Sequence, residues 1–128
     1  MDKNTKIMVK SPLVSVLMLT YNRASYITEA INSVLSQTYK SLELIIIDDG
    51  STDDTSLIVG NFNDSRIEHI QHHENRGLAV RRVESATLAK GDFVAILDSD
   101  DIWIDEKNSH PGCVHDSPFR LLYSGFIY

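Results

Sequence analysis

The chain has 128 residues, 42% of them hydrophobic and 23% charged, with a formal net charge of −6. This size and balance allow one globular domain with a real core, and the acidic excess speaks against nucleic acid as a general partner, because phosphate backbones attract basic faces. No apolar run approaches the roughly 20 residues of a spanning helix. Met1–Lys10 carries lysines without the apolar stretch of a signal peptide, and a single cysteine, Cys113, leaves no internal disulfide and fits a reducing compartment. The expectation is a cytoplasmic protein.

Residues 1–11 read as a flexible lead-in, and residues 12–128 as one domain starting at Pro12. Leu13–Leu19 is an apolar run of strand length that ends in Thr20-Tyr21-Asn22-Arg23. Ile27, Ala30, Ile31, Val34 and Leu35 then recur at helical spacing, with Ser25 placed to cap the first turn. Leu42–Ile47 is a second strand, too apolar for a sheet edge, closed by Asp48-Asp49-Gly50-Ser51. Thr52 or Asp53 is placed to cap a short helix that buries Leu57, Ile58 and Phe62. Ile67–Ile70 alternates and predicts a half-exposed strand. A helix from Gly77 to Lys90 is expected to turn Leu78, Val83, Ala86 and Ala89 inward, with Gly91 at its left-handed C-terminal position. Phe93–Leu97 predicts a buried strand running into Asp98-Ser99-Asp100-Asp101.

Strand and helix alternate with short connections, so the predicted fold class is α/β: a mostly parallel sheet flanked by helices. In open sheets of this kind ligands bind beyond the carboxyl ends of the strands. Three such ends carry polar groups here: Thr20-Tyr21-Asn22, Asp48-Asp49 and Asp98-Ser99-Asp100. Each alone is compatible with turn chemistry. A tyrosine at a strand end can stack on a nucleobase, and Asp48 or Asp49 can accept a hydrogen bond from a base edge. Crowded carboxylates repel unless neutralised, and hard oxygen ligands suit Mg²⁺ or Mn²⁺ with a phosphate sharing the metal. The three ends together describe a site for a nucleoside diphosphate with a divalent cation, and the matching chemistry is group transfer from a nucleotide-activated donor. Neither a G-x-G-x-x-G nor a Walker lysine motif is present.

In order and spacing, Val14–Arg23, Val34–Tyr39, Asp48–Asp53, Glu74–Ala79, Lys90–Asp92 and Leu97–Trp103 resemble the N-terminal, donor-binding half of a family 2 glycosyltransferase of the Rossmann-like GT-A fold. The resemblance implies a nucleotide site made of Thr20, Tyr21, Asn22, Asp49, Arg82 and Asp98, with Tyr21 against the uracil ring and Asp49 on its edge. It implies metal ligation by Asp98 and Asp100, the latter the more direct ligand, an arginine at Arg82 reaching the nucleotide, and Trp103 packing the loop. The implied reaction is inverting transfer of a sugar from a nucleotide-diphosphate donor, a UDP-sugar, to an acceptor hydroxyl in polysaccharide biosynthesis. Carbohydrate, lipid-linked and protein-glycan acceptors are left open, and the family allows peripheral work at the inner face of a membrane.

Inversion in one step needs a general base, which the family supplies downstream of the metal motif and which is expected beyond Tyr128. Asn108–Asp116 is a polar, breaker-rich loop where the family continues with a helix, and Val83 and Glu84 stand where an asparagine and a small residue are common. His110, His115 and Asp116 read as loop residues rather than a metal cluster. The apolar run Leu121–Tyr128 invites self-association if nothing covers it. The chain therefore reads as an apparently truncated glycosyltransferase, with a catalytically incomplete nucleotide-binding fragment as the alternative. A phosphoacceptor signalling domain also gathers aspartates at strand ends, but Thr20-Tyr21-Asn22 occupies the position where it needs an aspartate pair.

Overall fold

The computed structural model describes residues 12–103. The lead-in 1–11, Cys113, the His110/His115/Asp116 group and the terminal run Leu121–Tyr128 lie outside the described residues. The elements are β1 (Val14–Thr20), α1 (Ile27–Leu35), β2 (Leu42–Asp49), α2 (Thr55–Gly60), β3 (Ile67–His72), α3 (Leu78–Leu88) and β4 (Phe93–Ile96). Four strands form one sheet in the order β3-β2-β1-β4, and every pairing is parallel.

Side chains alternate between the two faces of a strand, and both faces of β1 and β2 are buried, as continuous apolar runs require. Val14, Val16, Met18, Leu44 and Ile46 pack with Ile27, Ala30, Ile31 and Val34 of α1 and Val59 of α2. The alternate set, Leu17, Leu19, Ile45 and Ile47, meets Leu88 and Ala89 at the end of α3. Register then aligns the strand ends. Thr20 is opposite Asp48, and Asp49 is opposite His72. Leu97 N–H donates to Leu17 O at 3.1 Å, which brings the chain after β4 alongside the end of β1.

Several local expectations are corrected. In α3, Leu78 and Val83 are 63% and 66% exposed and Ala86 is exposed. The buried face is Arg81 and Ser85, because a carboxylate on β2 requires the arginine inside. Leu57 is exposed, while Ile58 and Phe62 pack on the core. Ser25 does not cap α1; Tyr26 and Ile27 N–H donate to the Arg23 carbonyl instead. Asp53, not Thr52, accepts the Thr55 N–H at the start of α2. Gly91 does not adopt a left-handed conformation; a Cβ there would lie 2.6 Å from Leu13 O and 2.7 Å from Ser15 N, so closeness to β1 excludes a side chain. Finally, β4 lies at the sheet edge among the described residues, and only Ala95 of its residues is fully buried.

Candidate functional site

The strand ends are joined by short loops that one asparagine and one glycine hold together. Asn22 adopts φ 52°, a left-handed conformation that asparagine tolerates better than most residues. Its N–H donates to Ser51 Oγ at 2.8 Å, and its Oδ1 accepts from Thr52 N–H at 2.8 Å and Asp53 N–H at 3.3 Å. Arg23 N–H donates to Thr55 Oγ1 at 2.9 Å, so the loop after β1 is tied to the loop after β2. Gly50 has φ +79°, and a Cβ on it would lie 2.8 Å from Asn75 N and Glu74 C. Its bare backbone lets the loop after β2 pack directly on the loop after β3.

Asp48 and Asp49 divide the work between them. Asp48 is fully buried and accepts from Ser51 N–H and the Ser56 hydroxyl, fixing the turn into α2. Asp49 accepts from Arg76 N–H at 2.8 Å and Arg81 Nε at 2.7 Å on Oδ1, and from Gly77 N–H at 2.9 Å on Oδ2. Burial pushes the Asp49 carboxyl up, but those hydrogen bonds and the Arg81 charge outweigh it and hold the group below the ordinary carboxylate value.

A cleft of about 410 Å³ opens at these ends, lined by Leu19, Thr20, Tyr21, Arg23, Asp49, Asn75, Gly77, Leu78, Asp98, Ser99 and Asp100. Five of the sequence-predicted residues, Thr20, Tyr21, Asp49, Asp98 and Asp100, thus share one concavity. Asn22 and Arg82 are not among its lining residues; Asn22 organises the loop behind it, and Arg82 is half-buried on α3. Tyr21 presents an exposed ring. Thr20 Oγ1 is buried without a hydrogen-bond partner in the described structure. A larger depression of about 650 Å³, lined by Glu29, Asn32, Ser33, Leu35, Ser36, Asp64, Arg66, Ile102 and Trp103, shares no residue with this cleft.

At the cleft's acidic end, Asp98, Asp100 and Asp101 are exposed and bring one carboxylate oxygen each within 4.8 Å of one another. Partial desolvation, then repulsion from Asp100 and Asp98, pushes the Asp101 carboxyl above its ordinary value. Arg23 Nε lies 3.7 Å from Asp100 Oδ2, a weak and solvent-screened pairing for that much negative charge. Clustered hard oxygen donors of this type fit Mg²⁺ or Mn²⁺. Trp103 is buried in the core, and its backbone N–H donates to Ser33 Oγ at 3.0 Å, which pins the end of the acidic loop to α1.

Arg81 is the residue that sequence reasoning missed. Its signal was present: it stands one turn after Gly77 and one turn before Ser85, on the side of α3 away from Val80 and Val83.

The chain resembles known proteins over this same region. The family model for glycosyl transferase family 2 matches residues 15–109. An Escherichia coli protein, the UDP-Glc:alpha-D-GlcNAc-diphosphoundecaprenol beta-1,3-glucosyltransferase WfaP, is 45% identical over 98 residues, which is 77% of this chain and 39% of the relative. The glycosyltransferase GlyG of Streptococcus pneumoniae is 40% identical over 95 residues, 72% of this chain and 31% of its own length. Among solved structures, S. aureus TarS 1-349 in complex with UDP-GlcNAc superposes with a TM-score of 0.69 at 36% identity, covering 73% of this chain and 28% of that one. The mannosyltransferase PcManGT from Pyrobaculum calidifontis, in complex with GDP-Man and Mn2+, gives a TM-score of 0.68 at 31% identity, covering 74% and 29%. The chain therefore spans well under half the length of these relatives. With the motifs in register, the strand ends gathered in one cleft and the match running through most of the sequence, the chain belongs to glycosyl transferase family 2.

Proposed function

We propose that this chain forms the donor-binding half of a glycosyltransferase that takes a nucleotide-diphosphate sugar, a UDP-sugar, together with Mn²⁺ or Mg²⁺. The observation that carries the reading is the single cleft into which all three polar strand ends open. In this reading Tyr21 stacks on the base, Asp49 accepts a hydrogen bond from its edge, the Thr20 hydroxyl meets the nucleotide, and Asn22 supports the site from behind by ordering the loop that carries Tyr21. Asp98 and Asp100 hold the divalent cation, which when bound offsets charge on the diphosphate leaving group. The acceptor hydroxyl attacks the anomeric carbon from the face opposite the diphosphate. The bond to the diphosphate breaks with inversion, and the hydroxyl proton passes to a general base, which the family resemblance implies belongs to the acceptor-binding half. The activity for which WfaP is named favours a lipid-linked diphosphate saccharide as acceptor, and with it work at the inner face of a membrane.

A second reading, nucleotide binding without turnover, is favoured by one observation. Among the described residues, the carboxylates lining the cleft are Asp49, which accepts from three protein donors, and Asp98 and Asp100, which the first reading assigns to the cation, so none is left to act as the base.

Calorimetric titration of UDP with and without Mn²⁺ tests the donor site. Binding is expected to depend on the metal and to weaken at least about tenfold, or 1.4 kcal/mol, in Asp100→Ala. Equal binding with and without metal in both proteins contradicts the assignment. Incubation with a UDP-sugar and a diphosphate-lipid acceptor then separates the two readings by whether a glycosidic product forms.

A further inference from the structure

Arg81 is a charged side chain only 6% exposed, on the inner face of α3. All three of its guanidinium nitrogens face oxygens: Nε donates to Asp49 Oδ1 at 2.7 Å, Nη2 to Glu74 O at 2.8 Å, and Nη1 lies 3.4 Å from Glu84 Oε1. Glu84 is itself 2.9 Å from His72 Nε2, so the guanidinium is braced from behind. A carboxylate offers about four acceptor positions. Among the described residues, Oδ1 of Asp49 is filled by Arg76 N–H and Arg81, and Oδ2 receives Gly77 N–H alone. One acceptor position therefore remains, on Oδ2, in a residue that lines the cleft.

We propose that Arg81 is the positioning residue for base selection: by occupying Oδ1 it leaves Asp49 a single fixed acceptor on Oδ2. An acceptor-only anion with one open position selects a base whose ring nitrogen carries a proton, as uracil and guanine do. It disfavours cytosine, whose ring nitrogen presents a lone pair to it. A planar fork does this better than an ammonium, because it engages Asp49, the Glu74 carbonyl and Glu84 at once. The inference rests on the donor-site reading above.

The test is calorimetric titration of UDP and CDP, with Mn²⁺ present, into wild-type protein, Arg81→Met and Arg81→Lys, each checked for cooperative thermal unfolding. Wild type is expected to prefer UDP by about tenfold or more, the scale of a hydrogen bond to a charged group. Arg81→Met is expected to bring the two nucleotides within about threefold, chiefly by weakening UDP. Arg81→Lys keeps the charge but not the fork, and is expected to fall between them; it also carries the test should the methionine variant fail to fold. An unchanged UDP-to-CDP ratio in a folded Arg81 variant overturns the inference while leaving the donor site standing. Failure of wild type to bind either nucleotide overturns the donor-site reading and the inference with it.

Discussion

Asn22 holds a left-handed backbone at the end of β1 and receives two N–H donors from the loop after β2. Replacing it with alanine removes the acceptor and leaves a Cβ residue in a conformation only asparagine and glycine adopt readily. Asn22→Ala is expected to lower stability by about 1–2 kcal/mol in urea denaturation, the cost of a lost cap, and to weaken nucleotide binding through the displaced Tyr21. Thr20 gives the opposite pattern. Its buried hydroxyl has no partner among the described residues, so Thr20→Val is expected to leave the ligand-free protein unchanged or up to about 1 kcal/mol more stable. The same variant is expected to bind UDP several-fold more weakly, as calorimetry would read, because the proposed ligand partner of the hydroxyl is gone. Neither property was legible in the sequence. A run of Thr-Tyr-Asn marks a strand end, but which of its members faces a ligand and which braces a loop depends on contacts with residues about 30 positions away.

At the scale of the elements, apolar periodicity located the strands well because β1 and β2 are buried on both faces and tolerate no polar interruption until their ends. The same rule failed in α3. It assumes that charged side chains face water, whereas Asp49 draws Arg81 into the interior and thereby turns Val83 out. The short helix α2 likewise sends Leu57 outward because Thr55 and Val59 are the residues that meet the core. Thermal or urea unfolding can check this phasing: Val83→Thr and Leu57→Gln are expected to change stability by no more than about 0.5 kcal/mol. Ile46→Ala, in the fully buried centre of β2, is expected to cost about 2–5 kcal/mol. Gly91 belongs to the same lesson. A glycine after a helix suggests a left-handed cap, but here the glycine lets the chain pass against Leu13 and Ser15 on its way into β4. Gly91→Ala is expected to loosen β4 from β1 and destabilise the domain by about 1–3 kcal/mol.

Across the whole molecule, the titrating groups give stability a definite dependence on pH. Burial, partly opposed by the charge of Asp48, holds His69 below its ordinary value. The Arg66 hydrogen bonds hold Asp64 low. In Asp49, hydrogen bonds and the Arg81 charge do the same against the effect of burial. All three bind protons more readily when unfolded, so each contributes stability that is present above its unfolded pKa and lost as pH falls through the folded value. The melting temperature is therefore expected to begin falling below about pH 6.5 with His69 and to fall more steeply below about pH 4 with the carboxylates. Asp101, raised by partial desolvation and its acidic neighbours, has the opposite sign and relieves a small part of that loss when it protonates. Sequence alone carried the fold class and the convergence of the strand ends, because an alternating parallel sheet leaves them one edge on which to meet. The spacing of Arg81 from Gly77 and Ser85 was there to read, but its clamp on Asp49 was not, because the helix rotation that turns this face inward is set by a partner 32 residues away on β2.

The central claim is that the three strand ends form one nucleotide site, and an amide NMR titration with UDP and Mg²⁺ tests it most directly. The account predicts shifts gathered at Tyr21, Asp49, Gly77 and Asp98–Asp101, the residues of the 410 Å³ cleft and its acidic end. A folded protein whose spectrum stays unchanged, or whose shifts gather at Asn32, Ser36 and Arg66 around the larger depression, would contradict it.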